Sequence, residues 1–142
     1  MTYATLETLT ERFGAEMIRR LTDRSDPPNG WADPVVVGRA LVDTDGVIDG
    51  FLRSRYLTPV RNVPPQLRDI ALSIAIYKLH RFSPETKIKD DYDAAMKALR
   101  DIQAGTILLT VEGVTPAVTG GTGARITDRE RPLTAENLKG YI

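Results

Sequence analysis

The sequence contains no cysteine among its 142 residues, which excludes disulfide bonds, thiolate metal sites and cysteine nucleophiles. It also lacks a net charge, because 19 Lys and Arg balance 19 Asp and Glu. A protein that binds nucleic acid usually has more Lys and Arg than Asp and Glu, because contacts to phosphate supply much of its affinity. No apolar run approaches the ~20 residues of a membrane-spanning helix, and the N-terminus has no signal-peptide core. What is present, 42% hydrophobic and 27% charged residues, predicts one soluble domain with an ordinary core and no membrane contact.

One stretch, residues 63–82, dominates the predicted core. Its apolar residues recur three and four positions apart, as one face of a helix requires. They are Leu67, Ile70, Ala71, Ile74, Ala75 and Leu79. Leu72, Ile76 and Tyr77 add apolar surface on the other sides, and a helix that is apolar almost all round is normally covered by neighbours. Pro64-Pro65 suits its first turn. The stretch therefore predicts a buried central helix.

Two short helices are predicted before it, at the N-terminus. Thr5 can cap the first by accepting a hydrogen bond from a free backbone amide, and Gly14 can end it in a left-handed conformation. Residues 15–21 predict one or two further helical turns. Residues 22–32 are rich in Asp, Pro, Asn and Gly, and predict a surface loop that Trp31 pins to the body.

Asp33-Pro34 predicts the start of a longer helix, because Asp suits the cap and Pro the first helical position. Residues suited to a buried face follow at helical spacing: Val37, Ala40, Leu41, Thr44, Ile48, Phe51 and Leu52. Glycines at 38, 46 and 50 each cost up to ~1 kcal/mol relative to Ala in a helix interior. We therefore expect either close backbone approach at these glycines or a kink.

Ser83-Pro84 repeats the pattern of a cap followed by proline, and the next helix should run to Ala104, where Gly105 ends it. Its inward residues are Ile88, Tyr92, Ala95, Met96, Leu99 and Ile102. The whole predicts a mainly α fold, a small helical bundle around one buried central helix, with residues 1–105 as the body.

Residues 106–142 predict an extended C-terminal arm. A short β-prone segment at 107–111 is followed by a stretch rich in Gly, Thr and Pro that cannot bury enough apolar surface to order itself. Apolar residues return near its end and could anchor the arm on a partner: Leu133, Leu138, Tyr141 and Ile142. The alternative is a loose tail of no consequence.

None of the short motifs predicts catalysis or a cofactor. Residues 43–49 superficially resemble a calcium loop, but alignment on Gly46 places leucines where two essential oxygen ligands belong, so Asp43 and Asp49 are expected to face solvent. His80 is the only histidine and is interpreted as a residue at a helix end. The glycine-rich residues 119–123 lack the Lys-Ser/Thr of a phosphate loop. Aspartates near Lys87 are explained by i,i+4 pairing.

Residues 50–68 carry a local excess of positive charge, because they contain four arginines and no acid. The arginines are Arg53, Arg55, Arg61 and Arg68. A solvated surface explains such a run as well as a binding patch does.

The motifs that remain form a set. They are RAL-x-D at 39–43, IDGFL-x-x-RY at 48–56, VPP-x-L at 63–67 and A-x-Y-x-L at 75–79. With the opening TYATLETLTERFG, the turn at 21–24 and the ending at 138–141, this set resembles Mu-like phage proteins long catalogued as a domain of unknown function. The resemblance covers most of residues 2–109.

The resemblance implies a structural protein of the virion neck, a head-completion or head–tail adaptor subunit assembled in the bacterial cytoplasm. It implies a homo-oligomeric ring, usually of 12 copies, below the portal protein and above the next neck or tail-completion protein, with no catalytic residues. In such a ring the four arginines would line the lumen near packaged DNA or pair with acids of the next subunit. The rival class is a small helical nucleic-acid-binding or regulatory protein, and an enzyme is the third option.

Overall fold

The computed structural model of the chain describes residues 2–109, which form five helices and no strand. The helices are α1 (Leu6–Phe13), α2 (Ala15–Thr22), α3 (Pro34–Leu52), α4 (Pro65–Leu79) and α5 (Thr86–Ala104). The predicted mainly α fold is therefore confirmed. The predicted division into a body and an arm stays a prediction.

Local capping chemistry explains the N-terminal pair of helices. Thr5 and Thr8 form a reciprocal capping box, in which the side chain of each residue accepts a hydrogen bond from the backbone amide of the other. Gly14 separates α1 from α2 with φ +88° and ψ 144°. Its φ is positive, as expected, but its ψ lies outside the left-handed helical region, which turns the chain sharply into α2.

The start of α3 is also set locally. The Asp33 carboxylate accepts a hydrogen bond from Val35 N at 2.8 Å, and Pro34 occupies the first turn. Asp33 N donates to Thr22 Oγ1 at 3.1 Å, which places the end of α2 beside the start of α3. The loop between them is on the surface as predicted, but the prediction that Trp31 pins it was wrong, because this side chain is 64% exposed.

The three glycines of α3 do not mark close backbone contacts. A Cβ added at Gly38, Gly46 or Gly50 would meet nothing within 4 Å, and the helix is unbroken from Pro34 to Leu52. The expectation of close approach was wrong, and nothing in the described part of the chain explains the choice of glycine.

Helix α4 is the buried centre of the bundle, as predicted. Its buried positions lie on every side of the helix, from Leu67 to Leu79. It packs between α3 and α5, and Tyr77 stacks on Tyr92 of α5 with ring centroids 3.9 Å apart. The helix ends three residues before the predicted limit, since His80 takes the C-cap and Phe82 is 85% exposed.

Helix α5 begins two residues later than the Ser83-Pro84 pattern predicts. Glu85 occupies the N-cap without a capping side-chain bond, so Pro84 belongs to the connection and not to the first turn. The predicted inward face is confirmed, with Ile88 and Leu99 among its buried residues. Gly105 ends the helix in the left-handed conformation, with φ +84°.

The three long helices run up, down and up. The short connection at residues 80–85 makes α4 and α5 antiparallel. Arg55, just after α3, donates from Nε to the carbonyl oxygen of Gln103 at 2.7 Å, so α3 and α5 finish at the same end of the bundle. We name this the arm-bearing end, formed by residues 53–64 and 105–109. The opposite end, formed by α2, the start of α3 and residues 80–85, is the groove end.

The packed body extends past the predicted start of the arm. Leu109 is buried in the core cluster and Ile107 packs against it, while residues 107–109 form no strand. The rest of the β-prone segment lies outside the described residues.

Candidate interaction surfaces

The acidic residues of α3 serve the fold. Asp45 Oδ1 accepts a hydrogen bond from Tyr3 N at 3.0 Å, and Asp49 accepts one from the Tyr3 hydroxyl. Asp43 is exposed as predicted, whereas Asp49 is only half-exposed and is hydrogen-bonded to Tyr3. Within residues 2–109 no group of three or more His, Cys, Asp or Glu side chains could hold a metal ion.

Burial raises the pKa of the Tyr3 hydroxyl above its ordinary value, and its hydrogen bond to Asp49 adds to the rise. Burial likewise raises the pKa of Asp45, against the opposing effect of the bond from Tyr3 N. The Tyr3 hydroxyl also accepts from Val60 N at 3.0 Å. These bonds hold the N-terminus against α3 and the 53–64 connection, and they offer no free catalytic group.

His80 sits at the C-terminus of α4, where the sequence predicted a helix-end histidine. Its Nδ1 lies 2.7 Å from the Ile76 carbonyl oxygen and therefore carries the donated proton. His80 also lines a surface cavity. The histidine closes a helix end and also contributes to that surface.

Arg55 has an intramolecular role that its place in the arginine run did not indicate. Its Nε and Nη2 donate to the last carbonyls of α5, Gln103 O at 2.7 Å and Ala104 O at 2.9 Å. A cation at a helix C-terminus also interacts favourably with the helix dipole. A Cβ at Gly105 would lie 2.6 Å from Arg55 Cζ, so the glycine makes room for the guanidinium.

The other three arginines of that run, Arg53, Arg61 and Arg68, are exposed. They belong to the 53–64 connection or to the first turn of α4, all at the arm-bearing end. None makes an ion pair within the described part of the chain. Their contact with DNA, with a neighbouring subunit or with solvent stays a prediction.

Hydrogen bonds fix residues 106–109 against the helical body. Thr106 N and Ile107 N donate to the Asp101 carbonyl oxygen at 2.9 and 3.2 Å. Leu109 N donates to the Tyr56 hydroxyl at 3.0 Å. The predicted arm anchors, Leu133, Leu138, Tyr141 and Ile142, lie outside the described residues, so their role also stays a prediction.

Exposed large apolar side chains concentrate at the two ends of the bundle. Trp31, Val35 and Phe82 lie at the groove end, whereas Leu57, which is 70% exposed, and Leu108 lie at the arm-bearing end. Among residues 2–109, Val42 is the only such side chain on the side of the bundle, halfway along α3. Exposed apolar residues that group together mark interaction sites more often than scattered ones do.

The groove end contains two adjoining cavities of about 250 and 450 Å³ that share Arg20, Leu21 and His80. Together they form a surface cleft between α2 and the 80–85 connection, which we call the α2 groove. Its apolar lining comes from Phe13, Met17 and Leu21, each half-buried. Phe82 stands at its edge.

The α2 groove carries charges of both signs. Arg20, Arg24 and Arg81 line it with Asp23 in the smaller cavity, and Glu16 and Glu85 line the larger one. Backbone amides of Gly30 and Asn29 bond the Asp23 carboxylate and lower its pKa. Arg20 pairs with Glu16 at 3.0 Å, but Arg81 has no ion pair among residues 2–109.

The α2 groove has no signal in the local sequence pattern. Its residues come from α2 and from the 80–85 connection, about 60 positions apart. Met17 and Leu21 are spaced four apart on α2 and could have indicated one face, whereas Phe13 belongs to α1, before the turn at Gly14. Neither group of arginines could be assigned to an end of the bundle without the fold.

Comparison with known proteins places this chain among phage proteins. The family described as Bacteriophage Mu, Gp36 matches residues 3–128. The chain is 28% identical over 142 residues to "Gene product J" of Escherichia phage Mu, with all of both chains covered. It is 25% identical over 140 residues to "Mu-like prophage FluMu protein gp36" of Haemophilus influenzae, which covers 99% of this chain and 98% of that one. Neither name states an activity.

No helix within residues 2–109 has the length and apolar character needed to span a bilayer.

Proposed function

Since the chain belongs to the Bacteriophage Mu Gp36 family, we propose that it is a structural protein of the virion neck, a head–tail connector subunit. In this proposal, copies of the chain form a ring beneath the portal protein and join the capsid to the next neck or tail-completion protein. A ring of 12 copies would match the symmetry expected from the resemblance. The subunits would be made in the bacterial cytoplasm and end in the neck.

The observation that carries the proposal is the grouping of exposed apolar side chains at both ends of the bundle. A protein that joins two others needs two separate contact surfaces, and Phe82 at one end and Leu57 at the other lie on such surfaces. An enzyme or a receptor for a small molecule would instead concentrate its special residues in one enclosed pocket. The arrangement supports a connecting role.

The arm completes the proposed mechanism. A segment with few apolar residues orders when it docks on a partner, so assembly becomes conditional on that partner being present. Leu133, Leu138, Tyr141 and Ile142 are the proposed anchors, since buried aliphatic and aromatic residues dominate interfaces. The partner is the portal protein or a neighbouring subunit. Exposed Arg53, Arg61 and Arg68 would face packaged DNA or acids of that neighbour.

The test mixes the purified full-length chain with portal rings of the same phage and images the particles by electron microscopy. A ring attached to the portal is expected. Deletion of residues 124–142 should leave a folded body, monitored by circular dichroism, that no longer attaches. A full-length chain that stays monomeric and ignores the portal would refute the proposal.

Surface variants test the two ends separately. Leu57→Asp and Phe82→Asp should each reduce attachment, because each places a charge on an apolar contact surface. Val42→Asp is the matched control, since Val42 is 64% exposed but lies on the side of the bundle. Equal loss in all three variants would contradict an interface confined to the ends.

The alternative of a small nucleic-acid-binding or regulatory protein is favoured by one observation, the exposed Arg53, Arg61 and Arg68 at one end. Phosphate binding would depend strongly on salt. A gel shift on duplex DNA at moderate salt separates the two functions. Tight binding that Arg53→Gln, Arg61→Gln and Arg68→Gln together abolish would support the alternative.

A further inference from the structure

We propose that Asn29 is a site of covalent modification, which loses its side-chain amide through attack by the Gly30 nitrogen, and that the Asp23 carboxylate slows this loss in the folded chain. The Asn-Gly dipeptide occurs once in the 142 residues. It lies in the loop between α2 and α3, and both of its residues are exposed. The inference concerns the chemistry of this loop and does not depend on the proposed neck function.

The reaction needs only these two residues and water. The backbone nitrogen of Gly30 gives up its hydrogen and bonds to Cγ of Asn29, which closes a succinimide ring. The bond from Cγ to the side-chain nitrogen breaks, and that nitrogen leaves as ammonia with the proton that the Gly30 amide lost. Water then adds to either ring carbonyl and opens the ring to aspartate or isoaspartate. Such an intramolecular attack is fast only when the two reacting atoms are held in the right geometry.

Glycine makes this position susceptible. A residue without Cβ leaves the attacking nitrogen unshielded and lets the backbone adopt conformations that other residues avoid. Gly30 has φ +87°, in the region that L side chains rarely adopt, so the turn itself requires glycine. The other two asparagines, Asn62 and Asn137, precede the larger residues Val63 and Leu138. The loop therefore keeps one labile dipeptide on the surface.

The structure ties each reacting group to another partner. Gly30 N donates to Asp23 Oδ2 at 2.8 Å, and Asn29 N donates to Asp23 Oδ1 at 3.1 Å. The Asn29 side chain donates from Nδ2 to Ser25 Oγ at 2.7 Å. We call these three hydrogen bonds the Asp23 clasp. Because the clasp restrains both the attacking and the leaving nitrogen, ring closure requires the loop to open first.

The charge of Asp23 also opposes the first step. The hydrogen bond from the Gly30 amide lowers the pKa of this carboxyl, so it is ionised at neutral pH. Loss of the Gly30 hydrogen would place a negative nitrogen beside a negative carboxylate, which is unfavourable. A carboxylate with a lowered pKa is also a poor base for an amide hydrogen. Asp23 therefore protects the dipeptide and does not catalyse its conversion.

Conversion would change the surface of the groove end. Either product replaces a neutral amide with a carboxylate, and isoaspartate also adds a methylene to the backbone path of the loop. The new charge would lie close to Asp23, and like charges repel. The clasp would then be weakened in the product, beside the exposed side chain of Trp31.

Incubation of the full chain, followed by peptide mass spectrometry and an isoaspartate assay, measures conversion at Asn29. The folded chain should convert at least about tenfold more slowly than the same chain unfolded in guanidinium, where the clasp cannot form. Asp23→Ala should raise the rate in the folded chain about tenfold, because both backbone amides lose a charged acceptor. Circular dichroism before and after incubation monitors the fold.

Matched variants separate the clasp from a general loosening of the loop. Asp26→Ala removes another exposed carboxylate of the loop and should leave the rate unchanged, since the two amides stay bonded to Asp23. Ser25→Ala frees only the side-chain amide and should give a smaller rise than Asp23→Ala. Asn29→Gln should abolish the conversion, because the longer side chain cannot close the same ring. In guanidinium the natural and Asp23→Ala chains should convert at the same rate.

Three results would overturn the proposal. Equal rates for folded natural and folded Asp23→Ala chains would remove the protective role of Asp23. Should Asp23→Ala fail to fold, the natural chain alone still decides, because equal rates with and without guanidinium would also exclude protection. The absence of conversion at Asn29 even in guanidinium would exclude the site itself.

Discussion

The two ends of the bundle are built in different ways. At the arm-bearing end, two tyrosine hydroxyls each accept a hydrogen bond from a backbone amide. Tyr3 accepts from Val60 N and Tyr56 from Leu109 N, both at 3.0 Å. The Arg55 guanidinium caps the C-terminus of α5. At the groove end, Arg81 has no ion pair within the described range and Phe82 is 85% exposed. Both ends expose arginines and apolar side chains, but the arm-bearing end is also closed by hydrogen bonds to its own backbone.

This difference separates residues that stabilise the fold from residues that are available to a partner. A buried backbone amide left without an acceptor costs free energy, so the arm-bearing end must keep its tyrosines. An exposed arginine contributes little to folding. The tyrosines at the arm-bearing end therefore stabilise the fold, whereas the exposed arginines and apolar side chains at both ends remain available to a partner.

Gly105→Ala should have the largest effect on stability, a loss of about 2–3 kcal/mol. An alanine would be strained at φ +84°, and its Cβ would lie 2.6 Å from Arg55 Cζ, so the capping guanidinium would have to move. Urea denaturation followed by circular dichroism measures the change.

Two comparisons make the Gly105 result specific. Arg55→Ala alone should cost about 1–2 kcal/mol, and the double variant should cost less than the sum, because both changes remove the same cap. Gly46→Ala should stabilise the fold by about 0.5–1 kcal/mol, since it is helical and a Cβ there meets nothing within 4 Å. Strict additivity of the first pair would contradict the capping role.

Tyr56→Phe should cost about 1–2 kcal/mol, because it leaves the buried amide of Leu109 without its acceptor. The effect should be local: the amide hydrogen of Leu109 should exchange faster, while amides in the middle of α4 keep their protection. Hydrogen exchange followed by NMR measures both. Unchanged exchange at Leu109 would show that the tyrosine does not hold the exit of the arm.

The local parts of this fold could be predicted from sequence, and the parts made by distant residues could not. Thr5 and Asp33 cap their own helices, and the apolar residues around α4 require neighbours on every side, so these features follow from residues close together in the chain. The role of Arg55 depends on carbonyls 48 and 49 positions away. Trp31 was misjudged because its loop has no periodicity that fixes which side faces the core.

The candidate surfaces show the same limit. The run of four arginines was visible as a charge imbalance, but nothing in its spacing distinguished Arg55, which caps α5, from Arg61, which is exposed. The α2 groove was missed because α2 and the 80–85 connection are about 60 positions apart in the chain and come together only in the tertiary structure. Interaction surfaces are assembled by tertiary structure, whereas caps and cores follow from local pattern.

A smaller effect, dependent on pH, should come from Asp45 at the arm-bearing side of α3. Burial raises its pKa in the folded state, so folding favours the protonated form. Its favourable contribution is therefore complete below the unfolded pKa of about 3.9 and is lost as the pH rises through the higher folded pKa. Asp45→Asn should thus gain stability relative to the natural chain as the pH rises across this window. Denaturation midpoints of both chains at several pH values measure the difference, and a difference that shrinks with pH would contradict the sign.

The smallest expected effect on stability is at the groove end. Arg81→Ala should change the free energy of unfolding by less than about 0.5 kcal/mol, because this exposed side chain has no ion pair within residues 2–109. The same variant should weaken self-assembly, measured by sedimentation velocity, whereas the control Arg100→Ala, also exposed but on α5 between the two ends, should affect neither quantity. A large loss of stability in Arg81→Ala would mean that the groove end, like the arm-bearing end, is needed for folding. A change in assembly without a change in stability is what a surface kept for a partner requires.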